Sequence, residues 1–203
     1  MIFKAIKNTI TKVEGFSIPE ERKTILQPLI DFINEKEEVG EEINLNFICT
    51  HNSRRSHLAQ IWAQVMAAYF KVKNVHCFSG GTEATSLFIL VKETLEEIGF
   101  VFKTDSEGTN PRYRIYFSEE EAPIVGFSKK FDDSFNPNDF FTAIMTCSHA
   151  DENCPFISGA EKRIPITYED PKEFDNTPFQ KEKYKERSLQ IASEMSYVFS
   201  RVR

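Results

Sequence analysis

No stretch of this sequence holds the roughly 20 consecutive apolar residues of a bilayer-spanning helix, so no transmembrane protein and no membrane partner is expected. The opening segment, Met1 to Val13, carries lysines but lacks a continuous apolar core and a small-residue cleavage site. A secretory leader is therefore not expected, and the cytoplasm is the simplest location. Positive charge is in deficit: 25 Lys and Arg against 31 Asp and Glu leave a net charge of −6. Nucleic-acid backbones demand a basic face, so no nucleic-acid partner is expected. A small anion is a different matter, because a few amides and one or two arginines can hold it whatever the total charge. Cysteine is sparse, at Cys49, Cys77, Cys147 and Cys154. In a cytoplasmic chain such thiols point to catalytic, redox or metal chemistry rather than to structural disulfides. Internal repeats and low-complexity tracts are absent as well. What remains is 203 residues, 40% hydrophobic and 28% charged, enough for one well-packed domain with an appendage.

Ile2, Phe3, Ile6, Ile10 and Val13 recur at helical spacing, and a second helix is expected after Ser17 with Pro19 in its first turn. Its apolar stripe is Leu26, Leu29, Ile30 and Ile33, and Pro28 within it should kink or weaken it. The charged run Glu35 to Glu42, broken by Gly40, closes a helical extension over 1–40, ahead of the main domain over 41–203. The period then changes to two: Ile43, Leu45 and Phe47 alternate with Asn44 and Asn46, and Ile48 and Cys49 follow. A polar loop, Thr50 to Arg55, leads to a helix whose apolar face is Leu58, Ile61, Trp62, Val65, Met66 and Tyr69. A short strand at Val75 to Phe78, closed by Gly80 and Gly81, precedes a helix from Leu87 to Ile98 that Gly99 stops. This alternation predicts an α/β fold with a parallel sheet and crossover helices. An insertion at about 108–130 breaks the rhythm, with Tyr113, Ile115 and Phe117 alternating and Ile124 to Phe127 returning as a β-hairpin. Further strands are expected at Phe140 to Thr146 and around Ile164 and Ile166, then a closing helix from Tyr184 to Val202.

The segment Cys49-Thr50-His51-Asn52-Ser53-Arg54-Arg55-Ser56 concentrates the chemistry. A thiol at the C-terminal end of a strand, before a tight loop that opens a helix, faces the crevice where open α/β sheets bind ligands. Loop amides and the helix N-terminus can surround an anion, and the same field should lower the Cys49 thiol toward a thiolate at neutral pH. Arg55 can grip two oxygens of a phosphate or arsenate with its planar fork, and Ser56 can donate to the thiolate. A bare Cys-x5-Arg pattern is short, and a buried strand-end cysteine beside two solvated arginines would also produce it. Strand, loop, helix and the serine after the arginine all agree with the functional interpretation.

These residues resemble the phosphate-binding loop of low-molecular-weight protein tyrosine phosphatases and of the related thioredoxin-coupled arsenate reductases. Phe78-Ser79-Gly80-Gly81-Thr82-Glu83 is similar to the family's segment after the second strand, and Tyr168-Glu169-Asp170-Pro171 to its general-acid loop. The resemblance implies a three-layer α/β sandwich around a parallel sheet of about four strands, with the helical extension and the hairpin outside the usual core. It also implies a small oxyanion substrate held by residues 50–55 and Asp170 as proton donor. Cys147 to Pro155 resembles the reductases' redox segment, with Cys147 and Cys154 at matching spacing. For the reductase branch the resemblance implies a relay. Cys49 attacks arsenic, Cys147 attacks Cys49, Cys154 attacks Cys147, and thioredoxin reduces the resulting disulfide. No bound metal or flavin is needed. A helical 147–154 would hold the two α-carbons about 10 Å apart, against the roughly 4.4–6.8 Å of a disulfide, so a Cys147–Cys154 bond requires that segment to unwind. Buried, chemically idle cysteines or a metal site with His149 are the competing interpretations. As a phosphatase the same loop would form a phosphocysteine; an oxyanion-sensing domain is a third, non-enzymatic class.

Three positions depart from the family pattern. His51 stands where the loop usually has glycine, Arg54 where a small residue is usual, and Gln60 where some arsenate reductases have an acidic residue at a potassium ion. The potassium site that the resemblance implies, with Asn52 and Ser79, has therefore lost a charge. Cys77 matches no family cysteine and is expected in the core. The apolar faces of the N-terminal helices must bury on the domain itself or on a second copy. Tyr113, Tyr116 and Phe117 are expected to be exposed, as a cleft wall or a dimer contact.

Overall fold

A computed structural model describes residues 1–153 and 156–202. In chain order the helices are α1 (Lys4–Glu14), α2 (Glu20–Val39), α3 (Arg55–Phe70), α4 (Ile89–Ile98), α5 (Ser148–Asn153) and α6 (Gln180–Phe199). The strands are β1 (Ile43–Cys49), β2 (Val75–Gly81), β3 (Val101–Thr104), β4 (Tyr113–Tyr116), β5 (Ile124–Gly126), β6 (Phe141–Met145) and β7 (Ala160–Pro165). Four of them form a parallel sheet in the order β2-β1-β6-β7. Because strand side chains alternate, β1 serves two cores. Ile43, Leu45 and Phe47 join a large cluster that α1, α2, α3, α4 and α6 complete, while Ile48 and Cys49 join Met145, Cys147 and Ala150 in a small one. The result is the expected α/β sandwich with unequal outer layers. No helix of the described residues is long and apolar enough to cross a membrane.

The N-terminal helices bury their apolar faces on the domain itself. Ile6, Ile10, Leu26, Leu29 and Ile33 are completely buried in the same core as Trp62 and Met195. Helix α2 runs through Pro28 and ends at Gly40, whose φ of 71° is the left-handed cap that glycine adopts without a Cβ clash. Arg22 on α2 grips Glu194 on α6 with two hydrogen bonds of 2.9 and 2.8 Å, and its guanidinium lies over Tyr168.

The insertion is larger than a hairpin. Strands β4 and β5 pair antiparallel as expected, but β3 pairs with β4 to make a three-stranded sheet. Phe100, Val101 and Phe102 follow Gly99 too closely for a separate strand to stand out in the sequence. The amide of Phe3 donates to the carbonyl of Phe117 at 2.9 Å, tying the N-terminus to this insertion. Tyr113 and Phe117 are buried, contrary to the exposed wall expected of them, because β4 turns that face onto the main core.

Candidate active site

Cys49 ends β1 and Arg55 begins α3, so the loop between them must reverse the chain over five residues. Its carbonyls are taken from outside. Thr82 N donates to Cys49 O, Glu83 N to Thr50 O, Ser128 Oγ to His51 O and Phe88 N to Ser53 O, at 2.8–3.1 Å. With the carbonyls turned out, amides turn in: Asn52 N donates to Cys49 Sγ at 3.1 Å, and the Ser53 amide also acts on the thiol. This is the anion nest expected of such a loop. The bracing depends on close backbone approach, since a Cβ on Gly81 would stand 2.3 Å from Glu83 O and 2.6 Å from Thr50 O.

Asn52, with φ 45°, takes the left-handed conformation that the turn requires, and asparagine tolerates it. His51, at the position where the family loop usually has glycine, is not itself at positive φ. His51 is exposed, with Nε2 3.6 Å from Glu83. Asn52 Nδ2 donates to Ser56 Oγ at 2.9 Å, leaving the Ser56 hydrogen to point at Cys49 Sγ, 3.1 Å away.

A small cleft is lined by Cys49, His51, Ser53, Arg54, Arg55 and Asp170. Arg55 spans it: Nη2 donates to Asp170 Oδ2 at 2.7 Å and Nη1 to the Tyr168 carbonyl at 2.9 Å. Asp170 Oδ1 also accepts from Lys172 N, capping a 3-10 helix at Pro171–Phe174. Arg54, expected to contact substrate, lines the cleft while its guanidinium is engaged on the far side of the loop's own residues. Its guanidinium donates to Tyr184 Oη and Asp175 Oδ2 and lies 4.0 Å from the Phe88 ring centre. Thr50 Oγ1 likewise turns toward Cys147 Sγ (3.5 Å) and His149 Nδ1 (3.3 Å).

Burial pushes the Cys49 thiol up, against the expectation of a ready thiolate. The neighbouring Cys147 adds to the rise, while the Ser56 hydrogen bond, Arg55 and the Ser53 amide pull the other way. The Cys49 residue is only 4% exposed, so desolvation of the charged form outweighs them. Cys147 packs in the same small core, 1% exposed, and Ala150 N donates to its sulfur. Helix α5 begins right after it; Cys154, the other expected redox cysteine, lies outside the described residues. Cys77 is buried in the main core, where desolvation raises its thiol.

Two buried groups escaped the sequence reading. His57 on α3 is fully buried, its pKa lowered to about 3 by burial and by the charge of Lys129. Lys129 is 3% exposed and lowered to about 8 by desolvation. A buried lysine on an irregular segment leaves no periodic signal. It bears on the potassium site, where Asn52 Oδ1 accepts from Lys129 N at 2.9 Å and Ser79 Oγ pairs with His57 Nδ1 at 3.3 Å, although Gln60 Oε1 has no partner. With Gln60 uncharged and a fixed cation beside them, these residues do not fit a potassium ion.

A β2-β1-β6-β7 parallel sheet, with a cysteine at the tip of β1 and a loop running into α3, is the low-molecular-weight phosphatase fold. No family model matches the sequence, and no curated protein matches it. Solved structures do. A low-molecular-weight phosphotyrosine phosphatase from Vibrio cholerae O395 is similar with a TM-score of 0.52 at 14% identity, over 78% of this chain and 94% of that one. A mutant of YwlE from Bacillus subtilis is similar at 0.51 and 13%, over 78% and 97%. A low-molecular-weight protein tyrosine phosphatase from T. tengcongensis reaches 0.50 at 17%, over 79% and 97%. At such identities the likeness is one of fold.

Proposed function

We propose that the protein hydrolyses phosphate monoesters through a phosphocysteine on Cys49. The observation that carries this reading is the Arg55 fork, which holds Asp170 at 2.7 Å across the cleft that Cys49 floors. Nucleophile, anion-binding cation and acid thus converge on one small volume. In the resting protein burial keeps the proton on Cys49, and Asp170 is the ionic partner of Arg55. An arriving phosphate takes the Arg55 fork and the inward amides. Asp170 loses its partner, and the Cys49 proton passes to it, directly or across a substrate oxygen. Cys49 Sγ then attacks phosphorus, the ester P–O bond breaks, and Asp170 gives its proton to the leaving oxygen. In the second half Asp170 takes a proton from a water that attacks phosphorus. The S–P bond breaks, inorganic phosphate leaves, and the proton returns to Cys49. A structure named for phosphotyrosine makes aryl phosphates the first substrate class to try. A free-thiol nucleophile also suits the reducing cytoplasm.

One contact favours a second reading, the thioredoxin-coupled arsenate reductase. Cys147 is buried in one cluster with Cys49, with the Thr50 hydroxyl 3.5 Å from its sulfur. In that reading Cys49 binds arsenic, and Cys147 attacks Cys49 Sγ. The S–As electron pair leaves with arsenic, reducing As(V) to As(III) and forming a Cys49–Cys147 disulfide, which Cys154 and then thioredoxin resolve.

One set of assays separates the two: aryl phosphate hydrolysis, and arsenate-dependent NADPH loss with thioredoxin and its reductase. Under the phosphatase reading C49S abolishes hydrolysis, D170N slows it about 10²–10⁴-fold, and C147S and C154S retain it. NADPH loss that needs all three cysteines would overturn the phosphatase reading in favour of the relay.

A further inference from the structure

The insertion encloses a second cleft, of about 380 Å³, that shares no lining residue with the Cys49 cleft. Its walls are mostly apolar, with Val75, Cys77 and Phe78 from β2 facing Phe117, Ile124 and Phe135. Five polar side chains interrupt them: Gln64, His76 and Glu121, the last two exposed at the rim, and the buried Gln60 and Lys129. Lys129 lines the cleft and is 97% buried by its 3% exposure, yet its ammonium has no hydrogen-bond or ion-pair partner among the described residues. It has only the ring of Phe127, 4.6 Å from the centroid. Asp133 acts on it from beyond ion-pair distance, and Arg112 opposes that effect. On the same wall Gln60 donates through Nε2 to the Cys77 carbonyl at 3.0 Å, while its Oε1 is buried without a partner.

A buried cation without a counter-ion is costly in the protein alone, and an anion brought by a ligand removes that cost. The apolar walls select the rest of the ligand. A bare phosphate would satisfy Lys129 but leave the phenyl and aliphatic surface uncovered, whereas an acid with a short hydrocarbon body covers both. We propose that this cleft binds a small monocarboxylate, its carboxylate on Lys129 Nζ and its apolar body against Val75, Phe117 and Ile124.

Isothermal titration calorimetry on the full chain at pH 7, with hexanoate and 1-hexanol as probes, tests this. Hexanoate should bind about 10-fold or more tightly than the alcohol. K129M should bring the acid down to the level of the alcohol. A122W, which puts a bulky ring at the exposed rim, should weaken both probes, and it serves should K129M fail to fold. Equal affinity for acid and alcohol in the unmodified chain would overturn the proposal. So would unchanged hexanoate binding by K129M, or loss of hexanoate binding in R55M, which would place it on the Cys49 loop. Because binding is read directly, failure here leaves the phosphatase reading standing.

Discussion

At the scale of single residues the state of the Cys49 thiol is decided by opposing terms. Burial raises the Cys49 thiol, and Ser56, Arg55 and the Ser53 amide each lower it. Removing the Ser56 hydroxyl deletes a hydrogen bond to the thiolate, the form it favours, so S56A should move the thiol further up. The expected outcome is a pH profile for iodoacetamide alkylation of Cys49 displaced to higher pH, with a lower rate at pH 7. A profile that stays put would mean that the 3.1 Å contact does not act on the thiolate. Cys49, Arg55 and Ser56 are legible in the sequence because one loop holds them at fixed spacing. The wrong expectation, a ready thiolate, came from counting the loop's field without the desolvation that only packing against Met145 and Cys147 creates.

At the scale of elements, the N-terminal helices are held by more than apolar contact. The Arg22–Glu194 pair joins α2 to α6, with the Glu194 side chain only 3% exposed. Breaking one partner leaves the other charge buried, so R22M should cost about 3–5 kcal/mol, measured as a shift in urea midpoint at constant slope. R22M,E194M together should cost less than R22M alone, because no orphan charge remains. A similar connection serves the loop after Asp170, where Arg54 binds Asp175 and Tyr184 and so fastens the loop to α3 and α6. D175N should loosen that attachment and lower kcat on aryl phosphate while leaving Cys49 alkylation unchanged. Neither connection was visible in the sequence, since the partners are more than a hundred residues apart. The helices themselves were, because a 3.6-residue apolar period needs no tertiary information.

The whole molecule responds to pH through its buried histidine. His57 has a folded pKa of about 3 against an ordinary 6.5, so between these values the unfolded chain binds the extra proton. Stability is complete above about pH 6.5 and is lost as pH falls toward 3. Thermal unfolding from pH 7 to 4 should show this slope, and H57Q should flatten it. The N-terminal extension belongs to this same body, since α1 and α2 complete the core of α3 and α6. A chain beginning at residue 41 should therefore bare that core and bind 8-anilinonaphthalene-1-sulfonate strongly. A soluble, cooperatively unfolding truncation would show instead that 41–203 is a separable domain.

The sequence by itself determined the α/β alternation, the loop between β1 and α3, and the residues at its two ends. Each of these rests on local spacing, which periodicity and short motifs record. Tertiary structure alone decided that β3 joins the insertion, that Tyr113 and Phe117 face inward, and that Arg54 binds Asp175. It also placed Lys129 without a counter-ion beside an apolar cleft. The physical reason is the same throughout: exposure, and with it the cost of a charge, depends on which distant segment covers a residue, and no local pattern carries that.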